Sequence, residues 1–437
     1  MKKILILSML IVSMLMQSCE KYLEVESYDK VSDENTIFDK ASAETAVRGA
    51  YRALASSNYS SSFQNTILQS GGDVRSLNNA QTDLNVINYD LRSDIGFLST
   101  YWSNFYNTIN RANHVIEKVP LVNDVRLSQD LKNQLLGEAY FIRAYSYFDL
   151  ARVFGNVQIF LTPTKVVVDK LGVPKSTQAE VYAQVLADLN QAEALLPGTV
   201  VRNRATKYTV YALRARLHLY TNRYQDAEND VNSILANSSY ILIKPFNLAA
   251  GTTESVLEFS YSVNDLNGGY GLWNTSNRQL EPKAVLHNLL NDPAVGGDRK
   301  ILSVKNASNQ FIGGIYPSNT SAAYGIRTAE LHLIRAEARA KKTVPDLTGA
   351  LGDLNAVRAR ANVANSTALT QDEIILAIEN ERRVEFALEP HRWFDIVRTG
   401  RAPVVFNLTD PSRYIFPIPA GEILADPSLK QNPEYGN

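Results

Sequence analysis

The sequence predicts a mainly α protein of stacked helix pairs interrupted by one irregular insertion of loops and short strands. Apolar residues recur at helical spacing along most of the chain. A two-helix pattern with spaced alanines occurs twice, from Thr206 to Leu235 and from Arg327 to Ala361. Between these stretches, residues 240–324 lose the helical period and become rich in Gly, Asn, Ser and Tyr. The chain has 437 residues, 45% of them hydrophobic, which is the composition of an ordinary globular protein with a sizeable core. Lys and Arg number 44 against 45 Asp and Glu, so the net charge of -1 gives no field to gather polyanions and argues against nucleic acid as a partner.

The first element is not part of the fold. Met1-Lys2-Lys3 precedes an apolar run from Ile4 to Met16, broken only by Ser8 and Ser13. A membrane-spanning helix needs roughly 20 apolar residues, so this shorter run reads as the charged and apolar regions of a secretory signal covering residues 1–18. Cys19 is the only cysteine, which excludes an internal disulfide and a thiolate metal cluster. The run Leu15-Met16-Gln17-Ser18-Cys19 resembles a bacterial lipobox and predicts lipidation of Cys19, which would become the mature N-terminus. Acyl chains contribute about 0.8 kcal/mol per buried CH₂, enough in combination for a firm membrane anchor. Residues 19–31 are polar and acidic, a tether; residues 32–437 form a single domain, with a helical scaffold over about 32–239 and 325–437 and the insertion over about 240–324.

Within the scaffold each helix has a physical signature. Ser42 to Leu54 places Ala46, Val47, Ala50, Tyr51 and Leu54 on one stripe. Leu98 to Val119 aligns Trp102, Phe105, Tyr106, Ile109, Ala112 and Ile116, and Pro120 stops it. A longer helix runs from Gln129 to Phe154 and ends at Gly155; another runs from Gln178 to Leu196 and closes at Pro197-Gly198. Thr162 to Pro174 is a connector. The two hairpins break near Thr221-Asn222-Arg223 and near Thr343 to Asp346. Tyr224, Ala227, Val231 and Leu235 match Leu347, Ala350, Leu354 and Arg358, while Ala212 and Ala215 match Ala336 and Ala340. Small residues let a second helix approach closely, the grammar of tetratricopeptide-like repeats.

Three stretches carry a resemblance. Gly137 to Ala144 leads through Tyr147-Phe148 to Phe154-Gly155. Glu381-Arg382-Arg383-Val384-Glu385 continues through Glu389-Pro390-His391-Arg392-Trp393-Phe394-Asp395 to Arg398-Thr399-Gly400. Pro417-Ile418-Pro419 and Glu422 are followed by Gln431-Asn432-Pro433 and Tyr435. With the lipobox, these resemble the SusD/RagB family of surface lipoproteins from end to end. The chain departs from the family pattern at Gln158, where the family usually has Pro, and at Pro390, where Gly is usual before the His. The resemblance implies a tetratricopeptide-like, SusD-like helical fold. It also implies an outer-membrane location facing the exterior, and a partnership with a SusC-type TonB-dependent transporter. Such a protein captures oligosaccharides and hands them inward, without cofactor or catalysis.

Glu381 and Glu385 lie four apart on one helix face, about 6 Å between Cβ atoms, superficially a glycosidase acid pair. A general acid needs a raised pKa, whereas the neighbouring guanidiniums of Arg382, Arg383, Arg392 and Arg398 favour the carboxylate form. Glu381, Arg382, Glu385, Arg392, Asp395 and Arg398 are therefore expected to be a structural ion-pair cluster. Trp102 and Trp393 are expected in the core. The five histidines show no metal-ligand spacing, and no nucleophile elbow, P-loop or dinucleotide fingerprint occurs. A sugar site needs flat apolar faces together with amides, carboxylates and Arg. Two stretches supply the mixture. One is the polar loop with Asp73, Arg75, Asn78 and Asn79, which resembles the loop bearing a ligand-binding Arg in starch-binding relatives. The other is Tyr270, Trp273, Asn274 and Asn277 in the insertion, where Tyr270 and Trp273 either meet ligand or pack the insertion onto the helices. A peptide-binding scaffold and a glycan-cleaving enzyme are the competing functions.

Overall fold

The computed structural model describes residues 36–78, 80–248, 251–273, 278–433 and 435; the signal, Cys19 and the tether lie outside them. Ten helices dominate. They are α1 (Lys40–Leu54), α2 (Gly96–Lys118), α3 (Gln129–Phe154), α4 (Gln178–Leu195), α5 (Lys207–Tyr220), α6 (Tyr224–Leu235), α7 (Thr328–Lys341), α8 (Leu347–Arg360), α9 (Gln371–Glu385) and α10 (Arg392–Arg398). Among the described residues six short strands pair antiparallel in twos: β1 (Val74–Ser76) with β3 (Leu280–Pro282), β2 (Ser255–Phe259) with β6 (Ala323–Arg327), and β4 (Ser303–Lys305) with β5 (Phe311–Gly313). This is the mainly α, tetratricopeptide-like architecture that the periodicity predicts.

Local chemistry fixes the helix ends. Thr177 with Glu180 and Thr370 with Glu373 form reciprocal capping boxes at α4 and α9, satisfying N–H groups that have no partner inside the helix. Ser128 caps α3, and Gly155 at φ 72° ends it, a conformation that any side chain would disfavour. Asn222, at φ 55°, makes the turn between α5 and α6, and Asp346 accepts from Gly349 N at 2.8 Å to start α8.

The alanine repeat does what close packing requires. Ala212, Ala215, Ala336 and Ala340 are fully buried, and α6 lies against α7, so the two helix pairs stack into one array. The core has two compartments: an extended one running from α1 through α6 into the insertion, and a smaller one in which Leu333, Leu354, Ile374, Ile378 and Phe386 join α7, α8 and α9. Trp102 and Trp393 are both buried. Among the described residues no helix is long and apolar enough to cross a membrane.

Two segments exceed what periodicity alone indicates. Asn58–Phe63 is a π-helical turn continuing into a helix at Gln64–Ser70, inside the stretch leading to the polar loop. That loop is not only a loop: Val74–Ser76 forms a strand whose partner lies some two hundred residues later in the insertion. No local signal in a three-residue strand announces such a pairing.

Candidate functional site

The buried charge beneath the insertion comes first, because it decides the fate of the two glutamates. Glu385 accepts from Arg299 at 2.7 Å and from Arg327 and Arg360. Glu381 pairs with Arg299 and, at 2.9 Å, with Arg358. Arg327 continues the network to Glu389 at 2.8 Å and Glu254 at 3.3 Å. Burial pushes the Glu385 carboxyl up, but Arg360, Arg327 and Arg299 together pull it further down, well below the usual carboxylate range. An acid held ionised by three guanidiniums has no proton to give.

The six clustered residues therefore divide into three groups with different partners. Glu381 and Glu385 belong to the network just described, not to the arginines of their own helix. Asp395 binds Arg382 Nε at 2.7 Å and Arg398 at 3.0 Å, and Arg398 also makes two 2.7 Å bonds to Glu337. Arg392 turns away to Asp73, at 3.0 Å. Adjacent positions on a helix point in different directions, so neighbours in sequence need not share a partner. Arg299, Arg327, Arg358, Arg360 and Glu254, which complete the network, come from distant segments and carry no sequence motif.

The polar loop pairs with β3, a few residues beyond the second stretch singled out for ligand chemistry. β1 pairs with β3 in the register Val74↔Pro282, Arg75↔Glu281 and Ser76↔Leu280, and the ladder extends through Lys283 N to Asp73 O at 2.8 Å and Leu77 N to Gln279 O at 2.8 Å. Successive side chains alternate faces. Val74, Leu280 and Pro282 point inward and are buried, while Arg75 stands outward with 59% of its side chain exposed and meets Glu281 at 3.0 Å. Glu281 also accepts from Phe311 N at 3.2 Å, which ties β5 to the ribbon. Phe311 stacks on His287 with centroids 4.3 Å apart, and Lys305 lies 5.5 Å from its ring centre.

The remaining candidates take different places. Asp73 is buried and committed to Arg383, through Nε at 2.7 Å and Nη2 at 2.5 Å, as well as to Arg392. It anchors the ribbon to α9 and α10 and has no carboxylate face to spare. Trp273 resolves to packing: it is 1% exposed, and its ring fills the space over Gly313, where a Cβ would come within 2.4 Å. Tyr270 is half-buried and Asn78 exposed; Asn79, Asn274 and Asn277 lie outside the described residues. The turn before Tyr270 needs glycine, since a Cβ on Gly269 would sit 2.9 Å from Ser60 O. Sequence reading did not single out Glu281, Lys283, Lys305 or Phe311, which carry no motif and enter only through strand pairing.

A second concavity, of about 490 Å³, lies between α2, the connector and the C-terminal segment, with Trp102, Tyr106, Asn110, Asn113, Gln158 and Phe160 among its walls. Its amides have structural duties. Asn113 donates to the carbonyls of Phe160 and Thr162, and Asn110 accepts from Thr164 N.

Comparison with known proteins accords with this architecture. Residues 21–219 match a family model described as starch-binding associating with outer membrane, and residues 302–409 match the model of the SusD family. A SusD-like protein of Formosa agariphila is 26% identical over 99% of this chain and 99% of its own length. Among solved structures, a SusD superfamily protein from Bacteroides vulgatus superposes with a TM-score of 0.79 at 21% identity, covering 92% of this chain and 100% of the other. A laminarin binding SusD-like protein superposes with a TM-score of 0.75 at 22% identity, covering 91% and 100%. With both ends of the helical scaffold matched and the signature stretches folded as described, the chain belongs to the SusD/RagB family.

Proposed function

We propose that this protein is a non-catalytic surface lipoprotein that captures oligosaccharide on the outward face of the β1–β3 ribbon and passes it to a SusC-type TonB-dependent outer-membrane transporter. The observation that carries the reading is that strand pairing sets Arg75 and Asn78 of the polar loop beside Gln279 and Glu281 of the insertion. Loops and short strands set on a rigid helical array are a common platform for recognition. Family membership and the laminarin-binding relative support a glycan as ligand. Lipidation at Cys19 would keep the protein at the membrane beside its transporter. The ionised state of Glu385 supports binding without bond cleavage.

A glycan array probed with the mature chain, followed by calorimetry on the hits, tests the binding reading, and Arg75→Ala is expected to weaken binding with the fold intact. Absence of any glycan ligand would sink it. Affinity capture from outer membranes is expected to recover a TonB-dependent transporter, and its repeated absence would remove the delivery step.

A further inference from the structure

We infer that the glycan taken on the ribbon face is anionic, an oligosaccharide carrying carboxylate or sulfate groups. The inference rests on the binding reading above and concerns the same surface. Alternation along the paired strands puts Asp73, Arg75, Glu281 and Lys283 on one side of the ribbon, opposite buried Val74 and Pro282. Lys305 joins them from the neighbouring hairpin, where it pairs with Phe311, and Arg383 and Arg392 close the other end through Asp73. Five cations thus meet two carboxylates along this face. Glu379 is paired with Arg401, while Asp83, on the inner side and bound to the neutral Ser76 Oγ and Gln69 Nε2, reduces the excess to two. The chain as a whole carries a net charge of -1, which makes the concentration local.

The layering of charge matters as much as the count. The Arg75 side chain is 59% exposed while the Glu281 side chain is 7% exposed, so the guanidinium stands outside and its counter-ion lies beneath. Glu281 meets Arg75 through Nη2, so this bond leaves Nε and Nη1 of the fork unused. At the other end a single carboxylate, Asp73, serves two guanidiniums. A neutral pyranose offers hydroxyls that are both donors and acceptors and is best met by amides and carboxylates. A surface of donors with its acceptors sunk below suits an acceptor-only group, and planar guanidinium matches carboxylate and sulfate oxygens best.

The test uses the purified mature chain and a panel of oligogalacturonate, alginate and sulfated galactan oligomers beside malto-, β-gluco- and manno-oligosaccharides. The expected result is binding among the charged members, with carboxyl-reduced or desulfated versions of the same oligomer bound about tenfold more weakly. That preference is expected to shrink as salt rises from about 50 mM to about 500 mM, because the charges are exposed. Arg75→Ala should cost the charged ligand about tenfold and Lys305→Ala about threefold, with Lys305→Ala retaining the parent melting temperature and Arg75→Ala lowering it only slightly. Which charged members bind separates carboxylate from sulfate recognition. Binding confined to neutral members, or a charge preference that survives both substitutions, overturns the inference and leaves glycan binding standing. No binding by any member overturns both.

Discussion

Two Arg–Glu pairings in this molecule have the same chemistry and opposite settings. Under the insertion, Glu385 is fully buried among Arg299, Arg327 and Arg360. On the ribbon, Glu281 holds a single Arg75 that reaches into water. Charges removed from water must be matched within the protein or cost several kcal/mol each, so the first arrangement locks α8, α9 and the insertion together and leaves nothing for a ligand. An arginine that reaches into water is screened from its buried partner and can take a second anion beside it. Depth, more than residue type, separates structural arginine from recognition arginine.

The sharpest way to break the comparison is at its buried end. Glu385→Gln removes the carboxylate shared by three buried guanidiniums, leaving them only Glu381, Glu389 and Glu254, and is expected to cost about 3–5 kcal/mol in urea unfolding. The pH dependence has a definite sign. The folded pKa of Glu385 lies below the ordinary 4.5, so its contribution is present above that value and is lost as pH falls toward the folded one. The stability gap between parent and variant should therefore narrow in acid. Glu389, raised by burial and in smaller part by the Glu385 carboxylate itself, has the opposite sign. A gap that widened in acid would remove Glu385 from its role. Trp273→Ala comes next, at about 3–5 kcal/mol for an aromatic deleted from a packed site, measured by thermal melting. Full stability with lost glycan affinity would return Trp273 to the ligand site.

These two residues also show how far sequence reading reaches. The helical scaffold was legible because 3.6-residue periodicity, caps and alanine spacing act over neighbouring residues; Thr370, Glu373, Ala336 and Ala340 each state their role locally. The nature of the Glu381/Glu385 pair was legible in kind, since arginines crowd the same segment. Its actual partners were not, because Arg299 and Arg327 arrive from the insertion's far side. Trp273 remained open between packing and ligand because an aromatic beside glycines and asparagines fits both, and only Gly313 approaching its ring decides. The ribbon was least legible. Asp73 and Arg75 stand two apart in one polar loop, yet pairing with residues 280–282 buries one among arginines and presents the other to solvent.

Asp73 sits between the two extremes, with 10% of its side chain exposed and two largely buried partners. Asp73→Asn is expected to destabilise by about 1–3 kcal/mol, the cost of leaving charged donors under-satisfied. Its effect on ligand is expected to run the other way, with tighter binding of a charged oligosaccharide by about twofold, since an anion leaves a cationic face. Calorimetry paired with melting curves checks both signs.

The smallest expected effect on stability is the most informative. Arg75→Ala removes an exposed cation and leaves the buried Glu281 carboxylate with Phe311 N as its donor, so stability should fall by about 1 kcal/mol. The same substitution is expected to lower glycan affinity about tenfold, the scale of one lost charge-assisted hydrogen bond. If Arg75→Ala instead melted the protein as Glu385→Gln does, the ribbon pair would be another structural clamp, and the division between buried and exposed arginine would fail at the position where it predicts function.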